Sequence, residues 1–188
     1  MASEIKIIRL LLENKEMRFT IKKISEALDI NYRIAHEKIT KLEKEGLVAI
    51  ESAGNSKLCR FSGKFNEKVF EAEHLRRKEL FRNKDFLIIH NRLADLEYPF
   101  IVLLFGSYAK GTADKHSDID ILTVGGDEKE MHAVVSLLPD KIHLTAVNYK
   151  DFISMAKSRG FNVVNEVIKN NIILIGIEEY YRLLKNAG

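Results

Sequence analysis

The stretch from Phe100 to Val124 limits the architecture more than any other part of the chain. Phe100-Ile101-Val102-Leu103-Leu104-Phe105 is an unbroken apolar run that stops at Gly106-Ser107. So short a run, with Pro99 before it and glycine after it, reads as a buried strand. Ten residues separate Ser107 from Asp118-Ile119-Asp120-Ile121-Leu122-Thr123-Val124, which alternates acid and aliphatic before turning apolar and reads as a second strand. Alternate residues of a strand share a face, so Asp118 and Asp120 project together, roughly 6.5 Å apart, while Ile119 and Ile121 turn to the core. Two carboxylates in that position repel each other unless a cation lies between them. Hard oxygen donors suit Mg²⁺, which takes one or two carboxylates and completes its shell with phosphates. Tyr108 to Gly111 begins a short helix or turn, so Ser107 lies where free backbone N–H groups can hold an anion.

The flanking sequence completes a sheet-and-helix domain. Phe86, Ile89, Leu93 and Leu96 recur at helical spacing, as do Met131, Val134, Val135 and Leu138, with Pro139 helping to end the second helix. Ile142 to Val147 reads as a third strand, Asn148 and Asn162 as caps of two further helices, and Ile172 to Ile175 as a short strand before a last helix. The stretch Gly106 to Leu122, GSYAKGTADKHSDIDIL, resembles the signature of the polymerase β-type nucleotidyltransferases, in particular their compact, minimal branch. The likeness runs from about Phe86 to the C-terminus. It implies that Gly106 and Ser107 hold the terminal phosphates of an NTP, and that Asp118 and Asp120 bind the Mg²⁺ (or Mn²⁺) bridging them. Lys110 is then a phosphate contact or a surface cation, and Ser107, Asp118 and Asp120 are catalytic. The chain also departs from the family, whose catalytic members carry a third carboxylate on the following strand. Sliding that pattern along Lys141-Ile142-His143-Leu144 puts His143 in its place, as a general base or as a packed strand residue.

The first third has a different periodicity. Ile5, Ile8, Leu11 and Leu12 mark an amphipathic helix over Ser3–Asn14 with Ser3 as its N-cap, and Thr20 opens a second helix to Leu28. Asp29-Ile30-Asn31 turns the chain, and Asn31 caps a third helix that Gly46 stops. Leu47–Ile50 and Leu58–Phe61, around a polar tip, read as a hairpin. Ile24 to Val48, with its KLEKEGLV exit, resembles the winged helix-turn-helix family. That likeness implies duplex DNA as a partner, contacted by Tyr32, Arg33, His36, Thr40 and Lys41 on the third helix and by Lys57 and Arg60 on the wing. The alternative is that these side chains are a solvated face serving protein contacts.

The expected fold class is α+β: a winged helix-turn-helix at 1–63, a helical connector at 64–84 serving as spacer or dimer face, and a nucleotidyltransferase domain at 85–188. The first 64 residues carry 13 Lys+Arg against 9 Asp+Glu and the remainder 17 against 18, so the basic excess lies on the helix-turn-helix. No apolar run approaches the roughly 20 residues that cross a bilayer. The N-terminus lacks a signal peptide's order of charge, and the lone Cys59 suits a reducing compartment, so a cytoplasmic protein without membrane contact is expected. The reading is an Mg²⁺-dependent transfer of NMP from an NTP to an acceptor, tied to transcription regulation or a toxin–antitoxin pair. A toxin or other protein is a candidate acceptor and a second copy of the chain a candidate partner. Its rival is a DNA-binding regulator whose degenerate second domain senses nucleotide without turnover.

Overall fold

A computed structural model describes residues 2–54, 56–138, 141–158 and 160–187. Pro139 and its role in ending a helix lie outside these. The chain divides into two units, Met1–Leu75 and Arg76–Gly188.

In the first unit α1 (Ser3–Glu13), β1 (Phe19–Thr20), α2 (Ile21–Ala27), α3 (Tyr32–Lys44), β2 (Val48–Ala53) and β3 (Ser56–Phe61) follow in order. Ile5, Ile8, Leu11, Ile24, Ala35, Ile39 and Leu42 are the buried stripes of the three helices, as their spacing of three and four requires. Ser3 is not the N-cap of α1: Ala2 holds that position without a side-chain hydrogen bond, and the helix starts at Ser3 itself. Thr20 and Asn31 do cap, accepting from the N–H groups of Lys23 and Arg33. Gly46, at φ +77°, ends α3; the Leu47 N–H then bonds the Leu42 carbonyl at 2.8 Å, the closure that favours glycine in the left-handed region. The hairpin β2–β3 gains β1 as a third antiparallel strand, order β1-β3-β2, pairing Phe19 with Cys59. Cys59 is fully buried there.

The helix expected as a connector is α4 (Glu67–Leu80), and the division between the units falls within it. In the second unit α5 (Lys84–Ala94), β4 (Ile101–Phe105), α6 (Gly106–Lys110), β5 (Ile119–Val124), α7 (Glu128–Ser136), β6 (Ile142–Val147), α8 (Tyr149–Lys157), α9 (Val163–Lys169), β7 (Ile172–Ile175) and α10 (Ile177–Ala187) follow. The sheet has the order β6-β5-β4-β7, with β5 and β6 parallel and the other pairs antiparallel. One face packs Val102, Leu104, Ile119 and Ile121 against Phe86, Ile89 and Leu93 of α5 and Met131 and Val135 of α7. The opposite face presents Ile101, Leu103, Leu122 and Val124, all buried, beside the layer that α8, α9 and α10 form. Asp118 and Asp120 belong by alternation to this second face, at the end where β5 begins.

Candidate functional site

Three local features bring the acidic pair against the Gly106–Ser107 turn where β4 ends and β5 begins. The antiparallel register sets Phe105 beside Asp120, so the chain leaves β4 at Gly106 directly against the acidic strand. Gly106 has φ +68°, and a methyl group built on it would overlap Oδ2 of Asp120. Only glycine lets the backbone pass there and keeps the carboxylate in place. Ser107 follows on the first turn of α6, where its carbonyl accepts the Thr112 N–H at 3.0 Å.

The parallel register then sets His143 of β6 beside Asp120. Its Nε2 lies 3.6 Å from Oδ2 of Asp118 and its Nδ1 3.7 Å from Oδ1 of Asp120. The imidazole is 62% exposed, whereas the two carboxylates are 26% and 30% exposed. His143 is therefore not a packed strand residue; it stands over the acidic pair. Lys141, just before β6 begins, places Nζ 3.3 Å from Oδ1 of Asp118. Sequence reasoning missed Lys141, because nothing in its neighbours distinguishes it from a surface lysine until β6 lies beside β5. Lys110 is exposed at the end of α6. Ser117 bonds within the preceding loop, its hydroxyl accepting from the Asp114 N–H and donating to Oδ1 of Asp114.

A model of the nucleotidyltransferase domain matches residues 85–178, half of the chain, and a model of the HTH domain matches residues 4–56. The chain belongs to the nucleotidyltransferase-domain family. Its nucleotidyltransferase domain thus coincides with the sheet that carries Asp120 and with the Gly106 turn, and its HTH domain with the first three helices and β2, stopping where β3 begins. Comparison with curated proteins found no match. A solved structure described as "Crystal structure of the toxin-antitoxin with AMP-PNP" is 22% identical, with a TM-score of 0.38, over 54% of this chain and 82% of that one.

Members of this family generally use a divalent metal, and the donor set fits one. Two carboxylates on one strand face, with Gly106 lacking the Cβ that would collide with Asp120, offer hard oxygen ligands of the kind a divalent cation takes. Among the described residues no three His, Cys, Asp or Glu side chains gather into a metal centre. A cation here would rest on Asp118 and Asp120 and take its remaining ligands from substrate and water.

In the HTH domain the structure sorts the sequence-predicted contacts into three groups. Tyr32 and His36, with ring centroids 6.3 Å apart, join Lys57 of β3, Ser56, Thr20 and Lys22 around a cavity of about 510 Å³. Arg33 is exposed at the start of α3, and Thr40 is half-buried two turns later. Lys41 turns instead to α1, where Nζ meets Oε1 of Glu4 at 2.9 Å, and Arg60 meets Oε1 of Glu51 at 3.0 Å. Lys22 is an addition: its helical phase puts it on the outer face of α2, and only the folded hairpin brings Lys57 opposite. No helix among the described residues is long and apolar enough to cross a membrane.

Proposed function

We propose that the second domain transfers an NMP group from an Mg²⁺-bound NTP to an acceptor hydroxyl, and that the first domain ties this activity to duplex DNA. The observation that carries the reading is the convergence of Asp118, Asp120 and His143 from two paired strands onto the Gly106–Ser107 turn. Backbone N–H groups at Gly106 and Ser107 hold the terminal phosphates, with Lys110 at the other end of α6. Asp118 and Asp120 would hold a divalent cation, which would supply charge neutralisation for the phosphates. The exposed imidazole of His143, beside Asp118 and Asp120, takes the proton of the acceptor hydroxyl as the new P–O bond forms and the bond to pyrophosphate breaks. The joining of the domain to an HTH supports a role in transcription regulation or in a toxin–antitoxin pair, with another protein as a candidate acceptor.

Calorimetry of Mg²⁺-ATP binding, paired with transfer of labelled nucleotide into a host lysate, tests this. Asp118→Asn with Asp120→Asn should weaken nucleotide binding more than tenfold; unchanged binding removes the site. His143→Ala should keep affinity within about twofold while transfer is lost. A wild-type protein that binds nucleotide but labels nothing, and gains transfer on His143→Asp, establishes the second reading of a nucleotide sensor. That reading is favoured by the presence of two carboxylates, not three, at the site among the described residues.

A further inference from the structure

The nucleotidyltransferase domain has a concavity at the carboxyl ends of β5 and β6. From Asp118 to Val124 the strand advances roughly 20 Å at about 3.3 Å per residue, so this crevice lies at the far end of the sheet from the acidic pair. Its volume is about 460 Å³, and its walls include Gly126, Glu128, Val147, Asn148, Asp151 and Met155.

Topology creates it. β5 and β6 run parallel and stay joined to their ends, where the Gly125 N–H bonds the Val147 carbonyl at 2.9 Å. The chain then leaves β5 for α7, which packs on the Ile119–Ile121 face. It leaves β6 for α8, which packs with α9 and α10 and buries Phe152. Adjacent parallel strands whose chains depart to opposite faces leave an opening outside their carboxyl ends, where open α/β sheets take their ligands.

The lining fixes the chemistry of the occupant. Glu128 and Asp151 bring two carboxylates, and Ser154 a hydroxyl; Ala146, Val147 and Met155 form an apolar wall; among the described residues no lysine, arginine or histidine lines the cavity. Asp151 is held in place from both sides of its residue: its N–H donates to Oδ1 of Asn148 at 2.8 Å, and its Oδ2 accepts from Nδ2 of Asn148 at 2.7 Å. One lone-pair side of that carboxylate is thereby taken and the other oxygen remains for a ligand. Glu128 opens the first turn of α7 and is 69% exposed, with Nε2 of His132 3.8 Å away. Anionic groups around an apolar wall, in a space within the size range of small-molecule pockets, match ammonium groups joined by methylenes. We propose that this crevice binds an aliphatic di- or polyamine, with ammonium groups on Glu128 and Asp151 and the carbon chain along Val147 and Met155. The proposal does not rest on the transfer reaction.

Titration of the ¹⁵N-labelled full chain with spermidine, against NaCl at matched ionic strength, tests it. The expected result is saturable movement of the amide signals of Gly125, Gly126, Asn148 and Ser154. Glu128→Gln should weaken the affinity at least fivefold, Ser154→Trp should fill the space and abolish binding, and Asp118→Asn with Asp120→Asn should leave it intact. Signals that move at Asp118 and Asp120 and are lost in that double variant would overturn the proposal. So would shifts spread over the acidic surface that NaCl reproduces, or binding that survives both Glu128→Gln and Ser154→Trp.

Discussion

Gly106 couples backbone conformation to chemistry at a single atom pair. A side chain at φ +68° meets the steric cost of the left-handed region, about 1–2 kcal/mol, and its methyl group would overlap the end of the Asp120 side chain. That carboxylate is the tip of a flexible group and can swing aside, so Gly106→Ala should leave a folded protein with a modest loss of thermal stability. The larger effect falls on the site: Mg²⁺-ATP affinity should drop about tenfold or more, read by calorimetry beside thermal denaturation. An affinity equal to wild type would mean that the position of Asp120 does not govern binding. Cys59 gives a second prediction at this scale. Burial, reinforced by the charge of Glu43, pushes its thiol up to about 11. A thiol reagent at pH 8 should leave the native protein unmodified over the time in which the denatured chain reacts fully, because both the thiolate and the path to it are missing.

At the scale of elements, the first unit is pinned by one glutamate. Glu4, 9% exposed on α1, receives Nζ of Lys41 from α3 at 2.9 Å and Nζ of Lys68 from α4 at 2.7 Å. The hydrogen bond from Lys68, against the opposing effect of burial and with help from Lys41, holds the Glu4 carboxyl below its ordinary value of 4.5. Burial alone would lower Lys68, but its hydrogen bonds to Glu4 and Glu45 outweigh this and raise it. A carboxylate depressed in the folded state stabilises above its unfolded pKa, and that contribution disappears as pH falls through the folded pKa. The stability of the first unit should therefore be steady near neutrality and decline below about pH 4.5. Glu4→Gln should lose on the order of 1–3 kcal/mol at pH 7, the range for buried hydrogen bonds to charged groups, and should show a flatter acid limb in urea titrations from pH 7 to 3. An unchanged acid limb in Glu4→Gln would assign that slope to other carboxylates. Lys68 offers the complementary test, since its contribution is present below its unfolded value of 10.5 and is lost only at higher pH.

For the whole molecule, charge predicts how it meets DNA. Duplex binding should weaken with salt, because each lysine or arginine on a phosphate releases about 0.9 of a condensed counterion. The structure separates residues that sequence position treats alike. Lys57→Ala, at the rim of the cavity shared with Tyr32 and His36, should reduce the slope of log K against log salt by about 1. Lys41→Ala should change that slope little, since its ammonium group is committed to Glu4. Equal slopes for Lys57→Ala and wild type would remove the wing from the interface.

The sequence by itself determined whatever depends on near neighbours. Helical stripes such as Ile21 with Ile24 and Ile39 with Leu42, the caps Thr20 and Asn31, the stop at Gly46, and the alternation of Asp118 and Asp120 are all set within a few residues by periods of 3.6 and 2, although Ala27, expected on the same stripe as Ile24, is exposed. The α+β class, both domains and the acidic pair could therefore be read directly. Ser3 misled because a serine at a helix start can cap or simply be the first residue, and the choice depends on the backbone of Ala2. The tertiary structure decided the rest. Strand register is set by packing between segments far apart in the chain, and a shift of one residue would turn His143 to the opposite face. Its place beside Asp120, the approach of Lys141 to Asp118, the commitment of Lys41 to Glu4 and the crevice where β5 and β6 end all arise from pairings that no local pattern encodes.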